Sequence, residues 1–458
     1  MSQERQESRL IRNLGFWDLM AIAVGQIIGA GIMSSTGVAI GMTGTGVVLA
    51  FLISPILTII CIYPVAILCS AAPTTGGPYR YCSRLMGKTV GMIYLLLHIT
   101  AFGVAVSQYA LSFGWYFNSI VPAINDHIAA MIILTIFFIM NLIGTKSAAL
   151  LNKIMSIALF GGLAIFILFG LPKTDVAYVF NPEHLFAHGM FAFVSTLALL
   201  SSATAGAQFI AELGGEAKNP GKNIPKVMVV STIGVGVFYV LIALVAAGVL
   251  PMDQVANQPL TNVAKYTMPV IAFYLFVIGA ALGATATTLN ATLSWITKPV
   301  LVACDDGLLP ASFGKVSKKG VPYKILTFFY IIGMIPLALN LDISFITKLT
   351  TANSLLTKLM VCMALFAMAS GHAEILSRSP LKITAGKAKV LSSIGFIILV
   401  ILSYSLFANL HVGVIVFLAV LIIATVIYVR VFRKNVTIKN DLVVDYTTGA
   451  SDQKQEGA

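Results

Sequence analysis

Charged residues are scarce in this chain of 458 residues. Only 10% of the residues are Asp, Glu, Lys or Arg, whereas 58% are hydrophobic. A soluble protein carries about 25% charged residues, so this composition excludes an ordinary water-soluble protein of this length. We expect lipid to surround most of the chain, with no separate soluble domain.

Cysteine pairs and catalytic motifs are missing as well. The five cysteines form no CxxC pair and lie in or beside apolar segments, so neither structural disulfides nor a metal site is expected. HExxH and GxSxG motifs and paired mid-membrane carboxylates are absent, so we expect no enzyme and no cofactor. The polar residues 1–15 are not followed by a short apolar core with a cleavage site, which argues against a signal peptide.

Long apolar runs dominate the rest of the chain. Helical runs long enough to cross roughly 30 Å of hydrocarbon lie near 16–37, 44–70, 88–116, 127–145, 153–172, 190–212, 226–249, 267–303, 323–340, 346–369, 391–408 and 411–432. The sequence therefore predicts an all-α polytopic membrane protein with about twelve transmembrane helices.

The net charge of +12 is spread over short stretches between the spans rather than over one basic face, so nucleic-acid binding is not expected. Lys and Arg collect before the first span and after spans 2, 4, 6, 8 and 10, whereas the loops 117–126 and 408–412 hold almost none. The positive-inside rule then places both termini in the cytoplasm, and we expect the protein to lie in the cell membrane. The polar tail 433–458 is expected to be a disordered cytoplasmic extension.

Glycines interrupt the first span near mid-membrane, where Gly25, Gly29 and Gly31 fall within seven residues. Each glycine disfavours a helix by about 1 kcal/mol relative to alanine, so the backbone can leave the helix here and direct amides at a ligand. The alternative is that small residues only allow two helices to pack closely.

The sixth span contains the counterpart, a stretch of small and polar residues from Ser201 to Gln208. Interruptions in spans one and six are what two five-helix halves of opposite topology predict, with the ligand site between them. The expected division is therefore residues 16–172 (spans 1–5), 173–370 (spans 6–10) and 371–432 (spans 11 and 12), between the terminal segments 1–15 and 433–458.

Four motifs resemble those of the amino acid, polyamine and organocation transporter superfamily, in its branch of bacterial amino acid permeases and antiporters. They are GQIIGAGIM at 25–33, PTTGGPYRY at 73–81, EAKNPGKNIPK at 216–226 and CDDGLLP at 304–310. The resemblance covers about residues 13–432. It implies a LeuT-like fold with two inverted five-helix repeats, broken helices 1 and 6, and two extra C-terminal helices.

The resemblance also implies a substrate site built mainly from backbone at the two breaks, for an amino acid or related amine. The α-carboxylate would meet the amides of Gly29, Ala30 and Gly31, and the amino group would meet the carbonyls of Ile27, Ser202 and Ala205. Unpaired amides at a helix N-terminus suit an anion, and a helix C-terminus suits a cation. Gln26, Ala203, Gly206 and Gln208 complete the predicted lining of the breaks.

Two positions depart from the family pattern and bear on ion coupling. Many of these permeases carry an acidic residue just after the glycine of the sixth-span break, where this chain has Gln208. Many also carry a lysine midway along the fifth span, where Leu159 stands here. A bulky aromatic that covers the substrate in arginine/agmatine exchangers is replaced by Ser202.

Polar residues within the spans are the remaining candidates. Lys358, near the middle of the tenth span, would contact an anionic group, titrate, or supply a fixed charge; it could instead pair with a helix-end carbonyl or snorkel. Asn353 would line the pocket or serve helix packing. His98 and Gln108 in the third span could face the pathway or simply pack, and Glu212 and Glu216 are expected to form a gate or an interfacial ion pair.

Hydroxyl groups in the eighth span suggest a possible sodium site. Thr287 and Thr288 could face first-span carbonyls, although threonine also commonly joins helices. The overall prediction is a secondary transporter that works by alternating access between lipid-embedded bundles. Exchange of amino acids is preferred because both usual proton-coupling positions are neutral; symport driven by protons or sodium is the alternative.

Overall fold

A computed structural model describes residues 14–438 apart from 144, 215, 216, 318, 319 and 409, together with residue 442. Glu216, residues 1–13 and most of the predicted tail lie outside these residues. The described part contains no β-strand, only isolated bridges that join Leu14 to Ala217 and Thr75 to Leu213.

The chain is built from α-helices. They are α1 Phe16–Ile27, α2 Ala30–Thr43, α3 Val47–Ala71, α4 Gly77–Met86, α5 Lys88–His98, α6 Val104–Asn118, α7 Asp126–Ile143, α8 Thr145–Gly170, α9 Val176–Val179, α10 Pro182–Leu185, α11 Gly189–Ala203, α12 Pro220–Gly248, α13 Met252–Val255, α14 Thr261–Thr267, α15 Val270–Leu275, α16 Gly283–Trp295, α17 Thr297–Asp305, α18 Tyr323–Ala338, α19 Ile343–Gly371, α20 Ala373–Arg378, α21 Ala385–Phe407 and α22 Val412–Phe432. Gly44–Gly46, Leu171–Lys173 and Ala207–Glu212 are 3₁₀-helical, and Ile99–Gly103 and Phe276–Leu282 are π-helical.

The predicted all-α polytopic architecture is confirmed. Among the described residues, nine helical stretches are long and apolar enough to cross a membrane, and three shorter apolar helices accompany them. Span boundaries agree with the prediction to within several residues; the largest difference is in span five, where α8 begins at Thr145 rather than near 153. The extra turns lie in the sequence TKSAALLNK, which contains five polar residues. The prediction missed them because hydropathy marks only the apolar part of a span, whereas the helix itself can begin earlier.

The outer surface of the bundle is apolar, unlike that of a soluble protein, although most buried residues are apolar as well. In α7, every third or fourth residue is an exposed isoleucine, with 46–57% of its surface accessible: Ile128, Ile132, Ile136, Ile139 and Ile143. Polar residues are buried inside instead, among them Gln26, Gln108, Asn141 and Asn290. Without water in the hydrocarbon, buried polar groups must find partners within the protein, so the interior is where binding chemistry can occur.

Both predicted helix interruptions are present. The first span breaks between α1 and α2, at Ile28 and Gly29. The sixth span leaves α-helical geometry after Ala203 and resumes as a 3₁₀-helix at Ala207, and Gly206 between them has a φ of 144°. This φ is one that side chains rarely adopt.

Two of the sequence motifs meet at the side of the membrane where the first span begins, hereafter the near side. Arg84, after PTTGGPYRY, makes a bidentate ion pair of 2.6 and 2.7 Å with Asp306 of CDDGLLP. Tyr79 Oη donates to the same carboxylate at 2.8 Å. Burial, and secondly the Asp306 charge, raise the pKa of Tyr79 above its usual range. Asp306 therefore binds α4 to the end of α17.

The first residues of the predicted tail are attached to the same region. Lys88 Nζ donates to the carbonyls of Arg433, Lys434 and Val436 at 2.7–3.0 Å. These contacts hold the end of α22 against the start of α5.

Candidate functional site

A polar cavity of about 50 Å³ lies where the two interrupted spans meet. Its lining residues are Gln26, Ile27, Phe102, Tyr109, Ser202, Ala203, Ala205, Gln208, Phe209, Thr288 and Ser354. A water molecule needs roughly 10–15 Å³ by this measure, so the cavity has room for only a few waters. The surrounding helices must separate before a larger solute can enter.

The first break is held by side chains from other spans. Tyr239 Oη in α12 donates to the Ile27 carbonyl at 2.6 Å. Gln26 Nε2 lies 3.3 Å from Thr292 Oγ1 in α16, while Gln26 Oε1 has no hydrogen-bond partner among the described residues. Gly29 lies against Thr288, whose Oγ1 would be 1.6 Å from a Cβ placed at Gly29. Only glycine fits this contact.

The second break is held largely by its own polar groups. Gln208 Oε1 accepts the Gly206 amide at 2.8 Å, and the Ser202 carbonyl accepts the Ala205 amide at 3.2 Å. Thr58 of α3 adds an external bond, because its hydroxyl donates to the Ser201 carbonyl at 3.0 Å.

The two breaks are in direct contact. A Cβ at Gly206 would lie 2.7 Å from the Gln26 carbonyl oxygen and 2.9 Å from the Ile27 amide nitrogen. The C-terminal end of α1 and the C-terminal end of α11 therefore converge, and α2 starts with its free amides beside them. Helix C-termini attract a cation and a helix N-terminus attracts an anion, so the arrangement can bind a ligand that carries a positive and a negative group close together.

An aromatic cluster closes the near side of the cavity. Phe209 stacks on Trp295 with ring centroids 3.9 Å apart, and Phe102 packs edge-on against both at 5.0 and 5.2 Å. His98 packs on Phe102 and Trp295. These rings, from spans 3, 6 and 8, must move apart for the cavity to open to the near side.

His98 and Glu212 lie beyond this cluster and do not line the cavity. The His98 Nε2 donates to the Ile296 carbonyl at 3.2 Å, and its Nδ1 has no partner among the described residues. Glu212, only 2% exposed, interacts electrostatically with Lys298 of α17. The cationic side chain that interacts with Glu212 therefore belongs to the eighth span.

Lys358 is buried in the tenth span beside the Cys61 thiol. It follows the cavity residue Ser354 by four positions, one helical turn toward the near side. Lys358 itself does not line the cavity.

The eighth-span threonines differ in orientation. Thr288 Oγ1 bonds to Ala284 O and lies 3.5 Å from the Gly25 carbonyl oxygen of the first span. Thr287 Oγ1 bonds only within its own helix, to Ala284 O at 2.9 Å. Of the two predicted sodium ligands, Thr288 alone faces the first break.

Asn353 faces a different cavity, between α6, α19 and α22. Four cavity residues were missed by sequence reasoning: Phe102, Tyr109, Phe209 and Ser354. Three of these follow directly after a residue singled out for its polarity, namely Gln108, Gln208 or Asn353. The sequence does not give the rotation of each helix about its own axis. Because neighbouring residues of a helix point about 100° apart, a one-residue difference decides which of them faces the cavity.

Comparison with known proteins agrees with this architecture. The family model for amino acid permeases matches residues 18–445. The chain is similar to three proteins of Bacillus subtilis (strain 168). They are the branched-chain amino acid permease BcaP, 27% identical over 71% of this chain and 74% of that protein; the amino-acid permease RocE, 29% identical over 69% and 70%; and the methylthioribose transporter, 26% identical over 69% and 72%.

Proposed function

The chain belongs to the amino acid permease family, and from this premise we propose that it exchanges neutral amino acids across the cell membrane. One observation carries the proposal: the two helix breaks converge, residues of both line one cavity, and the C-terminal ends of α1 and α11 meet beside the N-terminal end of α2. An α-amino acid has its ammonium and carboxylate on one carbon, which matches that arrangement.

The proposed contacts are those predicted from the motifs. The carboxylate would bind the amides of Gly29, Ala30 and Gly31, and the ammonium would bind carbonyls of Ile27, Ser202 and Ala205. Ala203, Gly206 and Gln208 would shape the second break. The Gln26 Oε1, which lacks a partner among the described residues, supplies a further acceptor.

A neutral, apolar side chain is favoured by the rest of the lining. Phe102 and Phe209 form an apolar wall, and Lys358 one turn below Ser354 disfavours a second positive charge. A relative named as a branched-chain amino acid permease supports the same choice. Because another relative is named as a methylthioribose transporter, that solute belongs in the test panel.

We propose that spans 1–5 and 6–10 are inverted repeats. Spans 1 and 6 are both interrupted, and spans 3 and 8, the third in each half, both contain a π-helical segment. In such folds one half moves against the other around the breaks. The Lys and Arg distribution supports cytoplasmic termini, which makes the near side cytoplasmic and the aromatic cluster a cytoplasmic gate.

Exchange is preferred because the two positions that commonly couple protons in this family are Gln208 and Leu159. The Gln208 side-chain oxygen accepts a hydrogen bond from the Gly206 amide, and the Leu159 side chain is apolar and fully buried. Without a coupling ion, uphill uptake needs another source of free energy, and the outward gradient of a second solute supplies it through exchange.

Counterflow in liposomes tests the mechanism. The purified protein is reconstituted, and uptake of each radiolabelled amino acid and of methylthioribose is compared between vesicles loaded with the same unlabelled solute and empty vesicles. We expect uptake of a neutral amino acid to be at least about tenfold faster into loaded vesicles. Equal rates into loaded and empty vesicles would reject exchange.

Symport is the second candidate, favoured by the buried ammonium of Lys358 and by Thr288 near the Gly25 carbonyl. In this case a pH or sodium gradient would drive uptake into empty vesicles. Lys358→Met would then abolish proton-driven uptake, and Thr288→Val would abolish sodium-driven uptake. Under exchange, Lys358→Met instead weakens only the discrimination against cationic amino acids, measured by competition with arginine.

A further inference from the structure

Two hydroxyl groups at the cavity between the breaks take no part in the contacts proposed above. They belong to Tyr109 of span 3 and Ser354 of span 10, and both residues line the cavity. Neither hydroxyl has a hydrogen-bond partner among the described residues, and neither is one of the unpaired atoms that the protein encloses completely. Both hydroxyls are therefore reachable from the cavity.

The hydroxyl groups next to Ser354 in α19 are bonded instead. Thr350 Oγ1 donates to Gln108 Oε1 at 3.0 Å, and Thr357 Oγ1 donates to the Ser354 carbonyl at 2.7 Å. Ser354 is only 5% exposed, and its own hydroxyl is left without such a bond. A buried hydroxyl without a partner costs stability unless a ligand or water satisfies it.

The bond between Gln108 and Thr350 brings the two cavity hydroxyls close together. Tyr109 follows Gln108 directly, and Ser354 lies one helical turn beyond Thr350, toward the near side. Because side chains tilt toward the N-terminus of their helix and span 3 begins at the near side, the Tyr109 ring extends toward the level of Ser354. The two hydroxyls thus share one wall, formed by spans 3 and 10, whereas the backbone groups of the breaks belong to spans 1 and 6.

The rest of the lining limits the side chain that a solute can carry. Phe102 and Phe209 present apolar surface at the near side of the cavity. Among the described residues that line the cavity there is no Asp, Glu, Lys or Arg. The volume of about 50 Å³ also favours a short side chain. A side chain that suits all of these surfaces is short and uncharged, and carries a hydroxyl group beside a methyl or methylene group.

We propose that Tyr109 and Ser354 form a subsite for the side-chain hydroxyl of a β-hydroxy amino acid, threonine or serine. The solute hydroxyl accepts from Tyr109 Oη while it donates to Ser354 Oγ, because every hydroxyl is both a donor and an acceptor. The threonine methyl group then packs on Phe102 and Phe209. The subsite rests on the proposed function, since the amino acid must bind at the breaks, and it narrows the neutral side chain to a hydroxylated one.

Threonine and valine test the subsite because they have nearly the same shape and differ by a hydroxyl in place of a methyl group. Their half-saturating concentrations are measured by protection of the purified full-length protein against thermal unfolding, together with those of serine and alanine. We expect threonine to bind at least about fivefold more tightly than valine, since valine leaves both hydroxyls unpaired. A purely apolar subsite would favour valine, because it removes water from the threonine hydroxyl without replacing the hydrogen bonds.

Two variants separate recognition of the hydroxyl from damage to the fold. Tyr109→Phe and Ser354→Ala should each lower the preference for threonine over valine by about twofold to tenfold, whereas general damage would weaken the binding of both amino acids alike. Thr357→Val is the matched control in α19. It removes a hydroxyl that is bonded within its own helix, so the preference should not change.

The outcomes distinguish the subsite from the proposed function. Equal binding of threonine and valine by the wild-type protein would overturn the subsite and leave amino acid binding at the breaks intact. An unchanged preference for threonine in a folded Tyr109→Phe or Ser354→Ala variant would overturn it as well. If none of the four amino acids protected the protein, the proposed function itself would be contradicted.

Discussion

The two helix breaks touch each other, yet different parts of the protein hold them. At the first break, Gly29 is confined by a side chain, Thr288, and the Ile27 carbonyl is bonded by Tyr239 from another span. At the second break, Gly206 is confined by backbone atoms of the first break, and its amide is bonded by Gln208 two residues later. Thus the first break is held mainly by side chains of spans 7 and 8, while the second is held by its own Gln208, by Thr58 of span 2 and by backbone contact with the first break.

This difference indicates which parts can move. A break held by side chains of spans 7 and 8 changes whenever those spans shift relative to span 1. A break closed by its own glutamine stays locally intact while it travels with span 6. Alternating access in this family architecture would then loosen the first break more than the second.

Gly206→Ala should have the largest effect. The φ of 144° and the approach to Gln26 O and Ile27 N leave no room for a Cβ, and such strain amounts to about 1–3 kcal/mol, or roughly fivefold to 150-fold. Initial uptake into loaded vesicles should fall by at least about fivefold. Gly234→Ala is the matched control, because nothing lies within 4 Å of its added Cβ. Normal uptake by Gly206→Ala would show that the second break is not constrained.

Gly29→Ala should also impair uptake strongly, but its defect should be reversible. The three atoms nearest to the added methyl group all belong to the Thr288 side chain, so Thr288→Gly removes the main obstacle. We expect Gly29→Ala/Thr288→Gly to transport as well as Thr288→Gly alone, in the same counterflow assay. No side-chain truncation should rescue Gly206→Ala, since its obstacle is backbone. If side-chain truncation restored uptake in both the Gly29→Ala and the Gly206→Ala variants, or in neither, the proposed difference between the two breaks would be contradicted.

Tyr239→Phe should have the smallest effect. It removes one buried hydrogen bond to the Ile27 carbonyl while the ring keeps its packing on Phe51. A net loss of about 0.5–1.5 kcal/mol should raise the half-saturating amino acid concentration by roughly twofold to tenfold. Tyr404→Phe, at a 72% exposed tyrosine, should change nothing. If both variants behaved like the wild type, the Tyr239 bond would not support the first break.

The fold could be predicted from the sequence because its signals are local. Apolar runs marked the spans, and clustered small residues marked both breaks. Of the residues that line the cavity at the breaks, the sequence singled out those of the breaks themselves and Thr288 of the eighth span. In spans 3 and 10 the candidates were assigned one position too early. Gln108 bonds to Thr350, whereas Tyr109 lines the cavity at the breaks. Asn353 faces the other cavity, between α6, α19 and α22, whereas Ser354 lines the cavity at the breaks.

Those errors have one physical cause. A span whose ends are uncertain by a few residues has an undefined rotation, because each residue turns the helix by 100°. The helix α19 borders two cavities, one lined by Ser354 and the other by Asn353. The polarity of a residue therefore does not predict which of the two cavities it lines. Contacts between distant residues, such as Thr58 with Ser201, become apparent only in the assembled bundle.

The most direct test of the account is whether binding requires both charged groups of an amino acid. Ligand-dependent protection of the purified protein against thermal unfolding is measured for the best-transported amino acid, for the amine that lacks its carboxylate, and for the acid that lacks its amino group. The account predicts saturable protection by the amino acid, loss of that protection in Gly206→Ala, and at least about tenfold weaker binding of both analogues. Equal protection by either analogue would contradict a site formed by the two helix breaks.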